Sequence, residues 1–234
     1  MPMPKQGNVQ QSMEIVTDMH LIRSIKKTVD KLDRSLPSPR RYRLIMSKNE
    51  IELFDNLIQK SQHYLEFGMG GSTIRALIKS KAKVYTVESS HDWIEAMREY
   101  RIIRNQEKHR LRVFRVDIGP TREWGHPQSE DHHHLFEGYS SGVFKSINAG
   151  ELDFILIDGR FRVACVLKTI LACHGNERVR IMIHDFWNRE EYHRVLEHLD
   201  VLDKVDTAGI FSIKKNVDLA AVEADYRIYK TVPD

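Results

Sequence analysis

Cysteine is scarce in this chain of 234 residues: only Cys165 and Cys173 occur, eight positions apart. Within one helix they would lie about 12 Å apart at ~1.5 Å per residue. That is too far for a disulfide, so a reducing, cytoplasmic setting is expected. No run of about 18 apolar residues is present to span a membrane. The opening MPMPKQGNVQQ also lacks the apolar core of a secretory signal. Charge of one sign is lacking as well. With 36 Lys and Arg against 33 Asp and Glu the net charge is +3, too little to point to a nucleic-acid partner. There is no G-x-x-x-x-G-K-[ST] run, so a phosphate loop of that kind is excluded. Internal repeats and low-complexity tracts are absent apart from His132, His133 and His134. Three successive histidines in a loop cannot easily face one metal, and no Cys or Glu spacing accompanies them, so they are expected on the surface.

What is present fits one globular domain with an extension. Hydrophobic residues make up 41% of the chain and charged residues 29%, enough apolar material for a sizeable core. From Ser12 to Leu36 the apolar residues Ile15, Met19, Ile22, Ile25, Val29, Leu32 and Leu36 recur at three- and four-residue steps. That is one stripe of an amphipathic helix, which would dock on its own domain or on a second copy of the chain. A basic membrane-surface helix is the other reading, opposed by Glu14, Asp18, Asp30 and Asp33. Pro37 and Pro39 then break the helix. The expected division is a tail and helix over 1–36 and a folded domain over 37–234.

Beyond the break, helix and strand alternate. A helix is expected from about Asn49 to Lys60, strands at Tyr64–Phe67 and Lys83–Glu88, and helices at Thr73–Lys79 and Trp93–Gln106. Further strands are expected at Leu111–Val116, Leu152–Ile157 and Arg180–Ile183. The segment Phe136–Ala149 is partly helical in expectation, with helices at Val163–Ala172 and Arg189–Leu199. At the end, Val201–Val205 and Ile210–Lys214 flank Asp206-Thr-Ala-Gly209 and suit an antiparallel hairpin. Strands separated by helices imply an α/β fold with an open parallel sheet covered on both faces.

The chain is organised around HYLEFGMGGSTIRA, His63 to Ala76. A strand that ends in Gly68, Gly70 and Gly71 and turns at once into a helix brings free N–H groups beside a helix N-terminus. Ligands of open α/β sheets bind at that carboxyl edge. Each expected strand end carries an acid: Glu66, Glu88, Asp117, Asp158 and Asp185. Any one of them could be a helix cap or a surface charge, but five in succession are hard to obtain from capping alone. Glu88 stands twenty residues past Gly68, the distance at which an acid accepts hydrogen bonds from ribose hydroxyls. A dinucleotide fingerprint fails, because Thr73 occupies the place of the third glycine. A carboxylate two residues before the first glycine would repel a pyrophosphate and suit an ammonium or sulfonium group.

Glu66-Phe-Gly-Met-Gly-Gly-Ser, Glu88 and Asp117 resemble motifs one, two and three of the class I S-adenosylmethionine-dependent methyltransferases. The resemblance covers roughly residues 60 to 215, including the closing hairpin. It implies a Rossmann-like, doubly wound sheet of seven strands, mostly parallel, with a C-terminal antiparallel hairpin. It also implies a site for S-adenosylmethionine. Gly68, Gly70 and Ser72 would pack on the methionine and ribose portion and Glu66 would anchor the amino-acid end. Glu88, with Ser89 beside it, would bind the ribose, Asp117 and the Ile118 backbone would recognise adenine, and Asp158 would lie beside the methyl donor. Asp117-Ile-Gly-Pro-Thr, Trp124-Gly-His-Pro and Asp158-Gly-Arg-Phe-Arg resemble, more narrowly, a group of bacterial methyltransferase-like proteins.

Methyl transfer from a sulfonium needs the acceptor held in line and its proton removed. Asp158, His184 and Asp185 are the candidates. Asp158 and Asp185 end neighbouring strands and resemble the Mg²⁺ ligands of small-molecule O-methyltransferases. His184 or Asp185 acting as general base is the rival role, and a packed strand-end histidine is the plain one. Arg160 and Arg162 could clamp a carboxylate or phosphate of a small-molecule substrate, or pair with nearby acids. Gly119–Leu135, carrying Trp124, is long enough to cover a substrate. Trp93 could stack near the adenine or fill the core. Two functions follow: O-methylation of a small molecule, or a module that binds the nucleoside without transfer. The N-terminal helix offers a route to a homo-oligomer.

Overall fold

The strand runs alternate strictly in which face they bury, and that alternation builds two cores on one sheet. In β1 (His63–Phe67), Leu65 and Phe67 face one core while Tyr64 faces the other; in β4 (Phe154–Ile157), Ile155 and Ile157 divide from Phe154 and Leu156 in the same way. The computed structural model describes residues 23–122 and 125–233. The remaining strands are β2 (Lys83–Glu88), β3 (Leu111–Arg115), β5 (Arg180–Ile183), β6 (Leu199–Val205) and β7 (Ala208–Ile213). All seven form one sheet ordered β3-β2-β1-β4-β5-β7-β6. Neighbours from β3 through to β5 pair parallel, and β7 runs antiparallel to both β5 and β6. Strand order reverses between β1 and β4, which opens a crevice at their carboxyl ends.

Helices cover both faces. α2 (Lys48–Ile58), α3 (Gly71–Lys79), α4 (His91–Arg98) and α5 (Arg101–Gln106) bury Phe54, Ile74, Ile94 and Ile103 in one core. α6 (His133–Ser141), α7 (Arg162–Cys173) and α8 (Leu219–Tyr229) bury Phe136, Val166 and Tyr226 in the other. Both cysteines lie on α7, buried and unbridged. Among the described residues no helix is long and apolar enough to cross a membrane.

Two expected helices differ. The run from Trp93 to Gln106 divides at Tyr100, whose extended backbone starts α5 and whose hydroxyl donates to the Arg41 carbonyl at 3.3 Å. The run after Arg189 is a 3₁₀ helix over Glu190–Glu197. α1, described over 23–34, docks through its polar side. Asp33 is buried and accepts the Arg40 and Arg41 amides at 3.0 and 2.8 Å, while Arg34 pairs with Glu99. The described part of the apolar stripe points outward instead, with Ile25 55% and Leu32 62% exposed. Residues 12–22 of the expected helix lie outside the described residues. From α1 the chain runs without regular structure as a strap to α2 and passes the glycine turn on the way, with the Arg43 carbonyl against Gly71.

Candidate active site

The turn after β1 is tight because two glycines meet there. Gly68 has φ +100°, a left-handed conformation that side chains resist. A side chain on it would meet the Gly159 Cα at 2.9 Å, and one on Gly159 would meet the Gly68 amide at 2.9 Å and strike the Tyr139 hydroxyl. The ends of β1 and β4 therefore touch backbone to backbone. Gly71 admits a second close approach, since the Arg43 carbonyl of the strap lies where its side chain would be.

These contacts leave a cleft of about 870 Å³ at the carboxyl edge, a volume in the range of small-molecule sites. Gly68 to Ser72 form one wall, continued by Glu88, Ser90 and Trp93. Asp158, Arg160, Arg162, His184, Asp185 and Arg189 form the facing wall. Arg43 to Ile45 of the strap and Arg122, Gly125 and His126 of the loop after β3 close over it. That loop is pinned by a bridge between Thr121 and Pro127 and by the Arg122 amide donating to the His126 carbonyl at 2.7 Å.

The expected cofactor residues divide by position. Gly68, Gly70, Ser72, Glu88 and Asp158 line the cleft. Ser89 lies just behind, its amide donating to the Glu88 carboxylate at 2.7 Å; Ser90 and Met69 amides donate to the same carboxylate at 2.8 and 3.2 Å. Three N–H donors thus fix this acid at the end of β2, while burial pushes it upward from its ordinary value. Trp93 is 45% exposed on the cleft wall, not in the core, and its indole N–H donates to the Met69 carbonyl at 2.7 Å. Asp117 is exposed and accepts the Gly119 amide at 2.9 Å, and Ile118 is buried; neither lines the cleft. Trp124 lies outside the described residues. His132 packs against Gly119, and His133 and His134 are exposed.

Glu66 does not reach the cleft. It shares the sheet face of Tyr64, two residues earlier, and so points under the first turn of α3. There it is 0% exposed and accepts the Tyr64 and Ser72 hydroxyls at 2.9 and 2.7 Å, together with that of Thr73. Burial lifts its carboxyl from 4.5 to about 7, against the lowering effect of these hydroxyls. Its place is that of a brace beneath the glycine turn.

Behind the opposite wall runs a buried chain of charges. His184 Nδ1 lies 2.9 Å from Asp158, and its Nε2 lies 3.5 Å from Glu50. Burial works against the His184 cation, but Asp158 and Asp185 outweigh it and raise the histidine above its usual value. Burial likewise opposes the Asp158 anion, yet His184 and Arg162 bring it below the ordinary range. Arg162 is 3% exposed and its guanidinium sits 3.1 Å from Asp158 and 3.7 Å from Asp185. It is therefore paired with acids and not held out toward a substrate. The backbone at Asp185 is left-handed, φ +56°, a strained conformation that packing must hold. These donors do not fit a divalent cation: a guanidinium already stands between the two carboxylates, and Asp158 and Asp185 raise the histidine's hold on its proton.

Glu50 is a residue that the sequence reading passed over. It closes a capping box with Ser47, accepting the Ser47 amide at 2.8 Å. It also accepts the Thr207 and Ala208 amides, both at 3.0 Å. The signal Ser47-x-x-Glu50 was readable as a helix start; its reach to the β6–β7 turn and to His184 was not. Tyr139, Arg43, Arg122 and Arg189 also join the cleft without any motif to announce them, and His126 joins it from the Trp124-Gly-His-Pro run.

This strand order with its closing antiparallel hairpin is the fold of the class I S-adenosylmethionine-dependent methyltransferases. A methyltransferase-like protein from Silicibacter pomeroyi matches with a TM-score of 0.71 and 26% identity, over 82% of this chain and 98% of its own. The methyltransferase PaMTH1 of Podospora anserina, solved with S-adenosylhomocysteine bound, matches with a TM-score of 0.51 and 16% identity, over 92% of this chain and 99% of its own. Cofactor-bound Rv0187 from MTB matches with a TM-score of 0.51 and 15% identity, over 92% and 100%. No protein-family model and no curated protein matches the sequence.

The buried Glu66 yields a prediction. Because its folded-state pKa is raised, its contribution to stability is full below 4.5 and falls as pH climbs to about 7. Denaturant unfolding at pH 4 and pH 8 should show wild type losing about 3 kcal/mol more than Glu66→Gln across that window. Parallel pH profiles for the two proteins would remove Glu66 from this role.

Proposed function

We propose that the chain binds S-adenosylmethionine in the cleft and transfers its methyl group to a hydroxyl oxygen of a small molecule. The observation that carries this reading is the one cleft that Gly68–Ser72, Glu88 and Asp158 line together, opened at the strand-order reversal. The residues present suit that cofactor. Gly70 has nothing within 4 Å of the place a side chain would take, so a ligand can approach its backbone. Glu88 is fixed by three amides to accept ribose hydroxyls, and Trp93 offers an aromatic wall beside it.

When bound, the cofactor supplies a methyl group on a positively charged sulfur. The C–S bond breaks as the O–C bond forms, the sulfur keeps the electron pair, and the hydroxyl proton must leave. Asp185 is the proton acceptor in this reading, since it faces the cleft from a rigid, left-handed position. His184 serves it poorly as a base, being raised toward its cation and held between Asp158 and Glu50. Asp158 and His184 are thus positioning residues that orient the wall around Asp185. No step passes through a metal.

Calorimetry should show S-adenosylmethionine binding, weakened at least tenfold by Glu88→Ala; absence of binding to wild type ends this proposal. Asp185→Asn should lower kcat by 10²–10⁴-fold with cofactor affinity kept, and EDTA should leave turnover unchanged. Cofactor binding with no turnover on any acceptor would instead support the non-catalytic module. For α1, we propose that a second copy covers the outward stripe of Ile25, Val29 and Leu32. Light scattering should then give a dimer mass that Val29→Asp with Leu32→Asp halves; a wild-type monomer would refute it.

A further inference from the structure

Resting on the reading just given, we propose that Tyr139 is a further cofactor-binding residue, its hydroxyl donating to the same ribose hydroxyl oxygen whose proton Glu88 accepts. Tyr139 is 1% exposed and lines the cleft from α6. Its ring packs on Phe67 and Phe161, with centroids 6.3 and 5.6 Å away, which holds the hydroxyl in one place. That place is the Gly68–Gly159 contact, where a side chain on Gly159 would strike the hydroxyl oxygen. Among the described residues the hydroxyl makes one hydrogen bond, accepting the Arg160 amide at 3.4 Å, and no acceptor takes its proton. A buried O–H without an acceptor is costly, and the cleft is the opening beside it.

Glu88 supplies the other half of the pair. Its Oε1 accepts the Ser89 and Ser90 amides at 2.7 and 2.8 Å, while its Oε2 accepts the Met69 amide alone, at 3.2 Å. Oε2 is thus the freer oxygen. Met69 follows Gly68, so Oε2 and the Tyr139 hydroxyl attend the same turn of backbone. A carboxylate accepts and cannot donate, whereas a ribose hydroxyl has one proton to give and lone pairs to fill. Glu88 takes the proton, and Tyr139 donates to a lone pair. Burial, and after it the Glu88 charge, push the Tyr139 hydroxyl far above its ordinary value, so at neutral pH it keeps the proton it donates. A ligand lacking that oxygen leaves the Tyr139 proton unpaired, which is how a site of this kind rejects an analogue.

The test is calorimetry on the full chain with S-adenosylhomocysteine and its 2′-deoxy and 3′-deoxy analogues, comparing wild type with Tyr139→Phe. The substitution keeps the ring and its packing and forfeits one long hydrogen bond, so the fold is retained. It should weaken S-adenosylhomocysteine about tenfold and one deoxy analogue as much. The other analogue, which lacks the contacted oxygen, should change less than twofold. Equal weakening of all three ligands would mark a merely structural effect and overturn the assignment, as would unchanged affinity for S-adenosylhomocysteine. Either of those results leaves the cofactor reading intact. Wild type that binds none of the three would defeat that reading and this inference with it.

Discussion

Two backbones touch at the carboxyl edge of the sheet where neither has a side chain, and the cleft depends on that contact. Gly68 and Gly159 approach so closely that a methyl group on either would meet the other strand's main chain. Packed interiors give little room for such a group to be absorbed. The contact sets the end of β1 against the end of β4, and so sets the glycine wall opposite Asp158. Glu66 fixes the same turn from below and the strap fixes it from the side, through Gly71 and Arg43.

Charge supplies the second constraint. Asp158, Asp185, Glu50, His184 and Arg162 are buried or half-buried together. Such groups tolerate burial only when paired, and removing one partner costs several kcal/mol. The pairing ties α2, the end of β4, the end of β5 and the β6–β7 turn into one wall. It also determines what that wall can do. Arg162 between the two carboxylates, with His184 against Asp158, makes a paired wall in which a cationic group already stands where a metal would have to bind.

Much of the fold was legible because its signals are local. Alternating strand runs, the glycine turn after β1 and acids at strand ends can each be seen within a few residues, and the hairpin about Asp206 follows from its turn residues. Glu88 and Asp158 were placed at one edge by the same reasoning. Glu66 was misplaced for a simple reason: its parity with Tyr64 puts it beneath α3, and the expectation of a ligand anchor overlooked the pleat. For Arg162 the two expectations, a substrate clamp or pairing with acids, are divided by Asp158 and Asp185, which end different strands and meet it only in space. Glu50 contacts Thr207 across 157 residues, a distance no local pattern spans. Arg122 carries no motif, His126 lies in the Trp124-Gly-His-Pro run without a role attached, and their place at the cleft follows from how the chain after β3 folds back.

In the function proposed above, one cleft, made by the Gly68–Gly159 contact, receives the adenosyl group against Glu88 with its sulfur end toward Asp158. A crystal structure of the protein with S-adenosylhomocysteine tests it most directly. The expected result is ribose hydroxyls within hydrogen-bond reach of Glu88, the base beside Trp93, and the sulfur between the glycine turn and the Asp158–Asp185 wall. A ligand seated elsewhere on the molecule, or lying in the cleft with Glu88 out of reach of the ribose, would contradict it.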